Sequence, residues 1–259
     1  MTNKEYREAE GISRSELFKI SKSPLHFRYA MDHPQEPTPS LIFGQAAHKY
    51  ILEPETFKDE FAVLPLIDRR TKAGKEAYAE FVMNNAGKEI ITMDDMEKIV
   101  DMGLQIKANP TAKALLTGKT EQSFFWTDAY TGEKCKCRTD CITEYNGQKY
   151  IVDYKTTDSC EDGHFERSCR KYGYQFQAGM YTEGVFLNTI ENYGFAFVAQ
   201  EKTAPYAVRV YICDPGFVAQ GYDQFREYIG VYHECKLSGI WYGYEGALNV
   251  VSELVEENY

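Results

Sequence analysis

Asn146-Gly147 constrains this chain more than any other pair of residues. It stands between CKCRTDCITEY and QKYIVDYKTT, two segments rich in β-branched and aromatic residues. Asn-Gly between alternating segments is the strongest short-range hairpin signal, because a type I′ turn needs φ > 0 at both central residues. A two-residue loop pairs Tyr145 with Gln148. Continued along the ladder, that register sets Asp140 opposite Asp153, with their Cβ atoms roughly 5 Å apart on one face. Lys155 shares the face and sits opposite Arg138.

Like charges directly opposite each other destabilise a sheet. A chain that keeps them needs a compensating cation. Lys155 supplies part of it and a divalent metal bridging both carboxylates supplies more; Mg²⁺ characteristically takes one or two carboxylates plus waters. The register assumes no bulge, since one inserted residue would break it. In the preceding strand, EQSFFWTDA, a two-residue Thr131-Gly132 loop would set Glu121 opposite Ile142, diagonal to Asp140. A longer loop through DAYTGE is the alternative. An acidic pair on a sheet is most often a solvated face. Here Lys155 at i+2 and the apolar Ile151-Val152 leading into Asp153 weigh toward a metal site.

The rest of the chain frames this hairpin. Ser13 with Glu16 is a capping-box pattern, and Ser23-Pro24 opens a second helix. A third is expected from Ser40 to Leu52, with Gly44 and His48 on one face at i, i+4. Residues 54–70 read as irregular, followed by helices over 72–85, 94–107 and 111–116. After the three strands come a helix within 163–188, strands GFAFVAQ and YAVRVYIC, a helix over 215–236 and a short one from Gly246. This order predicts one α/β or α+β domain over residues 1–259, with a central mixed sheet flanked by helices. Residues 1–118 form a mainly helical N-terminal elaboration and 119–245 the sheet-and-helix core.

Bulk properties exclude some classes. No apolar run approaches the ~20 residues of a membrane helix, and the polar start lacks a signal-like apolar segment. Seven cysteines form no disulfide framework for a chain of this size. A cytoplasmic protein without membrane partners is expected. The net charge of −10 argues against sequence-independent coating of nucleic acid, while leaving room for a local basic groove.

IVDYKTT, with CRTD before it, resembles the D…(D/E)-x-K core of the PD-(D/E)XK nucleases, and a restriction-endonuclease-like fold is what that implies. Within the superfamily the chain resembles the RecE-type exonuclease VIII group of phages and prophages. GQAAH resembles the upstream helix bearing a metal-binding histidine, here His48. The Glu121-led strand, QAGMY with Gln177 and Tyr181, and the opening SRSELFKISKSPLHFRYA match as well. The resemblance covers residues 11–245. It implies Mg²⁺-dependent digestion of linear double-stranded DNA from its ends, 5′ to 3′, leaving 5′-phosphates in phage-type recombination. Mn²⁺ should substitute. It also implies a ring-like homo-oligomer, trimer or tetramer, and a single-strand annealing partner protein.

Under this reading Asp140 and Asp153 are metal ligands, His48 a further ligand and the Tyr154 carbonyl an additional candidate. Lys155 orients or deprotonates the attacking water and offsets developing charge. Gln177 and Tyr181 share a helix face and contact DNA or hold Lys155. Glu121 is a ligand or an outer acceptor. Blander roles compete: His48 as an ordinary helix residue, Tyr181 as core, Glu121 as a strand-edge cap. Cys135, Cys137 and Cys141, expected on one strand face, fit no zinc spacing, and with just Cys213 and Cys235 near the C-terminus no iron–sulfur cluster is expected. Candidate DNA contacts are Arg14, Lys19, Lys22 and Arg28; Arg69, Arg70, Lys72 and Lys75; and Arg167, Arg170 and Lys171. The alternatives are a structure-specific or restriction-type endonuclease and a catalytically silent DNA-end-binding module.

Overall fold

The computed structural model describes residues 1–244; the helix expected from Gly246 lies outside them. The N-terminal half is helical, as its capping signals require. Helix α1 (Asn3–Glu8) is closed by a Thr2–Glu5 capping box. Strand β1 (Ile12–Ser13) runs into α2 (Arg14–Leu17), where the Ser13 N–H donates to Glu16 at 2.8 Å. Helix α3 (Pro24–Asp32) starts on Ser23, and α4 (Pro39–Leu52) starts on Thr38. The segment expected to be irregular holds a short helix α5 (Phe57–Glu60) and strand β2 (Phe61–Leu64). Beyond α6 (Lys72–Asn84), strand β3 (Glu89–Thr92) pairs in parallel with β2. Two four-residue strands leave little periodicity to read. Helices α7 (Met93–Ala108) and α8 (Pro110–Leu115) complete this half.

The core begins with β4 (Lys119–Thr127), β5 (Lys134–Tyr145) and β6 (Gln148–Thr157). Helices α9 (Asp162–Tyr172) and α10 (Tyr174–Thr189) follow, then β7 (Gly194–Glu201), β8 (Val208–Ile212) and α11 (Pro215–Ser238). The single helix expected within 163–188 is two, broken at Gly173, which has φ 64° and ψ 48°. A Cβ there would lie 2.1 Å from the Phe18 ring, so conformation and space both demand glycine.

Strands β1, β5, β6, β7 and β8 form one mixed sheet in that order, with β4 also on β5. One face packs Ala46, Ile99, Met102 and Leu115 against Val152, Tyr154, Ala196 and Val198. The other carries Phe176, Met180 and Phe225, and beside them Phe165, Ile151 and Phe197. Helices α10 and α11 approach closely where Gly179 meets Gly221; a Cβ on Gly179 would be 2.1 Å from the Tyr222 nitrogen. No described helix is long and apolar enough to cross a membrane.

Two registers matter for function. The β5–β6 ladder has the expected phase, from Tyr145↔Gln148 to Cys141↔Val152, and stops there. The β4–β5 register differs from the two-residue-loop expectation: Lys119, not Glu121, faces Ile142. Residues 128–133 form the longer loop, closed by the Asp128 N–H donating to the Glu133 carbonyl at 2.8 Å. With Thr120↔Cys141 and Gln122↔Thr139 on either side, Glu121 falls opposite Asp140. Its φ of 53° marks a local departure from regular strand. The cysteines also divide: Cys135 and Cys137 pack with Trp126 and Phe176, whereas Cys141 packs with Val152 and Tyr154.

Candidate metal centre

A strand has two edges. Along Lys134–Ile142, β4 takes one edge of β5. The other is shared: β6 holds Cys141–Tyr145 and β1 holds Cys135 and Lys136. Residues 137–140 are left without a strand on that side, and the opening contains Arg138 and Asp140. Where the ladder would have continued, the Tyr154 N–H donates at 2.7 Å to the Asp140 carboxylate instead of to a backbone carbonyl. The site forms where β5 and β6 part.

Three acceptor or ligand groups converge there. His48 Nε2 lies 3.0 Å from Asp140 Oδ2, and His48 Nδ1 lies 3.6 Å from Glu121 Oε1. One ligand atom from each of His48, Glu121 and Asp140 falls within 4.8 Å of the others. Small residues bring α4 this close: Ala46 and Ala47 are fully buried and Gly44 faces Thr156 of β6. Arg138 ion-pairs with Glu121 and donates to Ser123 at 2.9 Å.

Asp153 stands outside that triad. Its Oδ1 accepts from Gln177 of α10, and its Oδ2 lies 2.6 Å from Lys155 Nζ. That second oxygen is buried and receives no well-directed hydrogen bond. The Lys155 ammonium also lies over the Tyr174 ring, 5.2 Å from its centre. Asp140, Asp153, Lys155, Gln177 and Tyr181 all border one cleft of about 550 Å³. The Tyr154 hydroxyl is turned away into the core, donating at 2.7 Å to Gln200.

Electrostatics separate these carboxylates. Burial and the Asp140 charge push Asp153 up to about 6, against the pull of Lys155. Burial would raise Asp140 too, but His48, Lys155 and the Tyr154 N–H hold it below the usual range. Glu121 is raised by burial, partly offset by His48 and Arg138. Partial burial works against a charge on His48, yet Asp140 and Glu121 lift it to about 9. An under-compensated acid beside a His–Glu–Asp donor set fits a divalent cation. An imidazole must be neutral to ligate, so a metal bound here would displace the His48 proton.

The family described as "PDDEXK-like domain of unknown function (DUF3799)" matches residues 13–253. This chain belongs to that family. The PDDEXK-like fold is seen again in a crystal structure of a "Putative exonuclease" from Eubacterium rectale, at 15% identity and TM-score 0.64, covering 99% of this chain and 96% of that one. A second structure, that of SSO0001, covers 81% of this chain at 15% identity, but its TM-score of 0.29 carries no argument. No curated protein matches the sequence.

In this PDDEXK-like domain, the predicted residues His48 and Glu121 border one cleft, Asp153 and Gln177 border a second, and Asp140 and Lys155 border both. Tyr181 borders the second cleft and packs against both cores of the α10 face. Gln177 holds Asp153 rather than Lys155. Among the basic candidates, Arg14 reaches the site cleft, with its guanidinium donating to the Tyr172 and Gly173 carbonyls. Arg70 pairs with Asp68, and Arg28 with Asp32. Two features beside the site were given no role by the sequence. Gln200 is fully buried and anchors Tyr154, with no sequence signal of its own. Helix α1 lines the site, and its Thr2–Glu5 capping box was a signal available for finding it.

Proposed function

We propose that this chain is a divalent-metal-dependent deoxyribonuclease that digests linear double-stranded DNA from an end, 5′ to 3′, leaving 5′-phosphates. The carrying observation is the meeting of His48, Glu121 and Asp140 beside the Asp153–Lys155 pair where β5 and β6 part. His48, Glu121 and Asp140 would hold the ion, and Asp153 flanks it. A bound Mg²⁺ or Mn²⁺ would polarise the scissile phosphate and lower the pKa of a bound water. Lys155 is set to orient that water and to offset charge growing on the phosphate. Gln177 fixes the Asp153 carboxylate, and Arg138 balances Glu121. The end preference and polarity rest on the resemblance to the RecE-type group, as do a ring-like homo-oligomer and an annealing partner.

The test compares a linearised plasmid with the same plasmid covalently closed, in Mg²⁺ or Mn²⁺ and in chelator. Metal-dependent loss of linear DNA with closed circles intact is expected. Rapid cutting of closed circles would replace the exonuclease reading with an endonuclease one. Lys155→Ala should lower the rate by about 10²–10³-fold with the fold kept; an unchanged rate would remove the mechanism.

A further inference from the structure

Two clefts with partly shared linings reach the candidate metal centre. One, about 1270 Å³, is bordered by α4 and His48. The other, about 550 Å³, is bordered by Ser13–Glu16, Gln177 and Tyr181. Arg138, Asp140 and Lys155 border both. Asn3 and Arg7 of α1 also border both. They are four residues apart and so lie on one helix face.

Helix α1 is tied down at each end to β5. Arg138 Nη1 donates to the Met1 carbonyl at 3.1 Å. Lys136 Nζ donates to the Arg7 and Ala9 carbonyls at 3.1 and 2.5 Å. Between these ties the half-buried Tyr6 ring lies 5.4 Å from Lys136 Nζ and 6.1 Å from the Phe125 ring. None of the residues of α1 is buried. The helix is thus held by a few polar ties and one aromatic ring, not by a core.

We infer that α1 is a strap across the site that makes a free DNA end necessary. A strand reaching Asp140 and Lys155 enters by one cleft and leaves by the other, beneath Asn3 and Arg7. An end can be threaded under the strap, whereas a chain without ends must unseat it. This deepens the nuclease reading and rests on it, because it assigns the choice of substrate to residues 2–9 rather than to the acids.

The experiment uses the full chain, a variant lacking residues 2–9, and Tyr6→Ala, each with Mg²⁺ or Mn²⁺. Each is given a covalently closed plasmid and the same plasmid cut once. The readout is the ratio of the initial rate on closed circles to that on linear DNA. Both variants should raise this ratio by at least about tenfold, with the linear rate kept within about fivefold. A ratio unchanged in both overturns the inference and leaves the exonuclease reading standing. Loss of the linear rate in both, with folding kept by thermal melt, also overturns it, because α1 would then be machinery rather than a gate. A wild-type chain that cuts closed circles freely defeats both readings at once. A wild-type chain inactive on linear DNA removes the reading beneath.

Discussion

Two aspartates on the β4–β5–β6 meander are equally hidden and oppositely treated. Asp128, in the loop before β5, is 3% exposed; Asp153, at the site, is 2% exposed. Burial acts to raise both. At Asp128 the Arg226 guanidinium and the Thr131 N–H and hydroxyl overcome it, and the carboxyl is held at about 2. At Asp153 the Asp140 charge adds to burial, Lys155 offsets just part, and the carboxyl rises to about 6. The first carboxylate closes a loop and has every partner it needs. The second is left in want of positive charge, the condition a cation site would require.

The largest effect that can break this comparison is on activity. Asp140→Asn removes a ligand charge while keeping an acceptor for His48 and the Tyr154 N–H. It should reduce metal-dependent DNA digestion by at least about 10³-fold. It also removes the charge that raises Asp153, but takes away the pairing with His48 that favours ionised Asp140, so activity should fall far more than the melting temperature in chelator. A variant that melts lower and keeps its activity would show that Asp140 belongs with Asp128 as a structural group.

The contrast also explains what could be read in advance. The Asn146-Gly147 turn is local, so the phase of β5 against β6 follows from adjacent residues alone. Where that ladder stops is not written in the turn, and the strand that takes the same edge farther along, β1 at Cys135 and Lys136, comes from more than a hundred positions away in sequence. The β4 register failed for a similar reason. The Thr131-Gly132 signal is real, but Asp128 is held by Arg226 of α11, which favours the longer loop. His48 came from the family resemblance, since no local rule says that α4 will carry an imidazole to Asp140. Helix α1 shows the same limit: its capping box is in the sequence, while its ties to Lys136 and Arg138 beside the site are not.

An intermediate effect sharpens the structural half. Arg226→Met keeps much of the side-chain volume but leaves the Asp128 charge buried with Thr131 as its remaining partner. Removing one member of a buried pair costs about 3 kcal/mol. Chemical denaturation should show that loss, and the rate on linear DNA per folded molecule should stay near wild type. A large drop in that rate would mean that the loop before β5 communicates with the site.

The smallest effect is a pH dependence whose sign separates the two acids. Asp128 has a native pKa of about 2 against an ordinary 3.8. Its ionised form is therefore the one the fold favours, and its contribution is complete above the unfolded pKa. The difference corresponds to about 2 kcal/mol. That contribution fades as pH falls through the range between the two values, and about half of it should remain near pH 3. Asp128→Asn lacks the titrating group, so the stability gap between it and the wild type should be largest near pH 5 and narrow on acidification. Denaturant titrations of both proteins at several pH values measure this directly. A gap that stays constant from pH 5 to pH 3 would show that Asp128 contributes through its hydrogen bonds to Thr131 rather than through its charge, and the opposition between a satisfied and an unsatisfied carboxylate would lose its electrostatic basis.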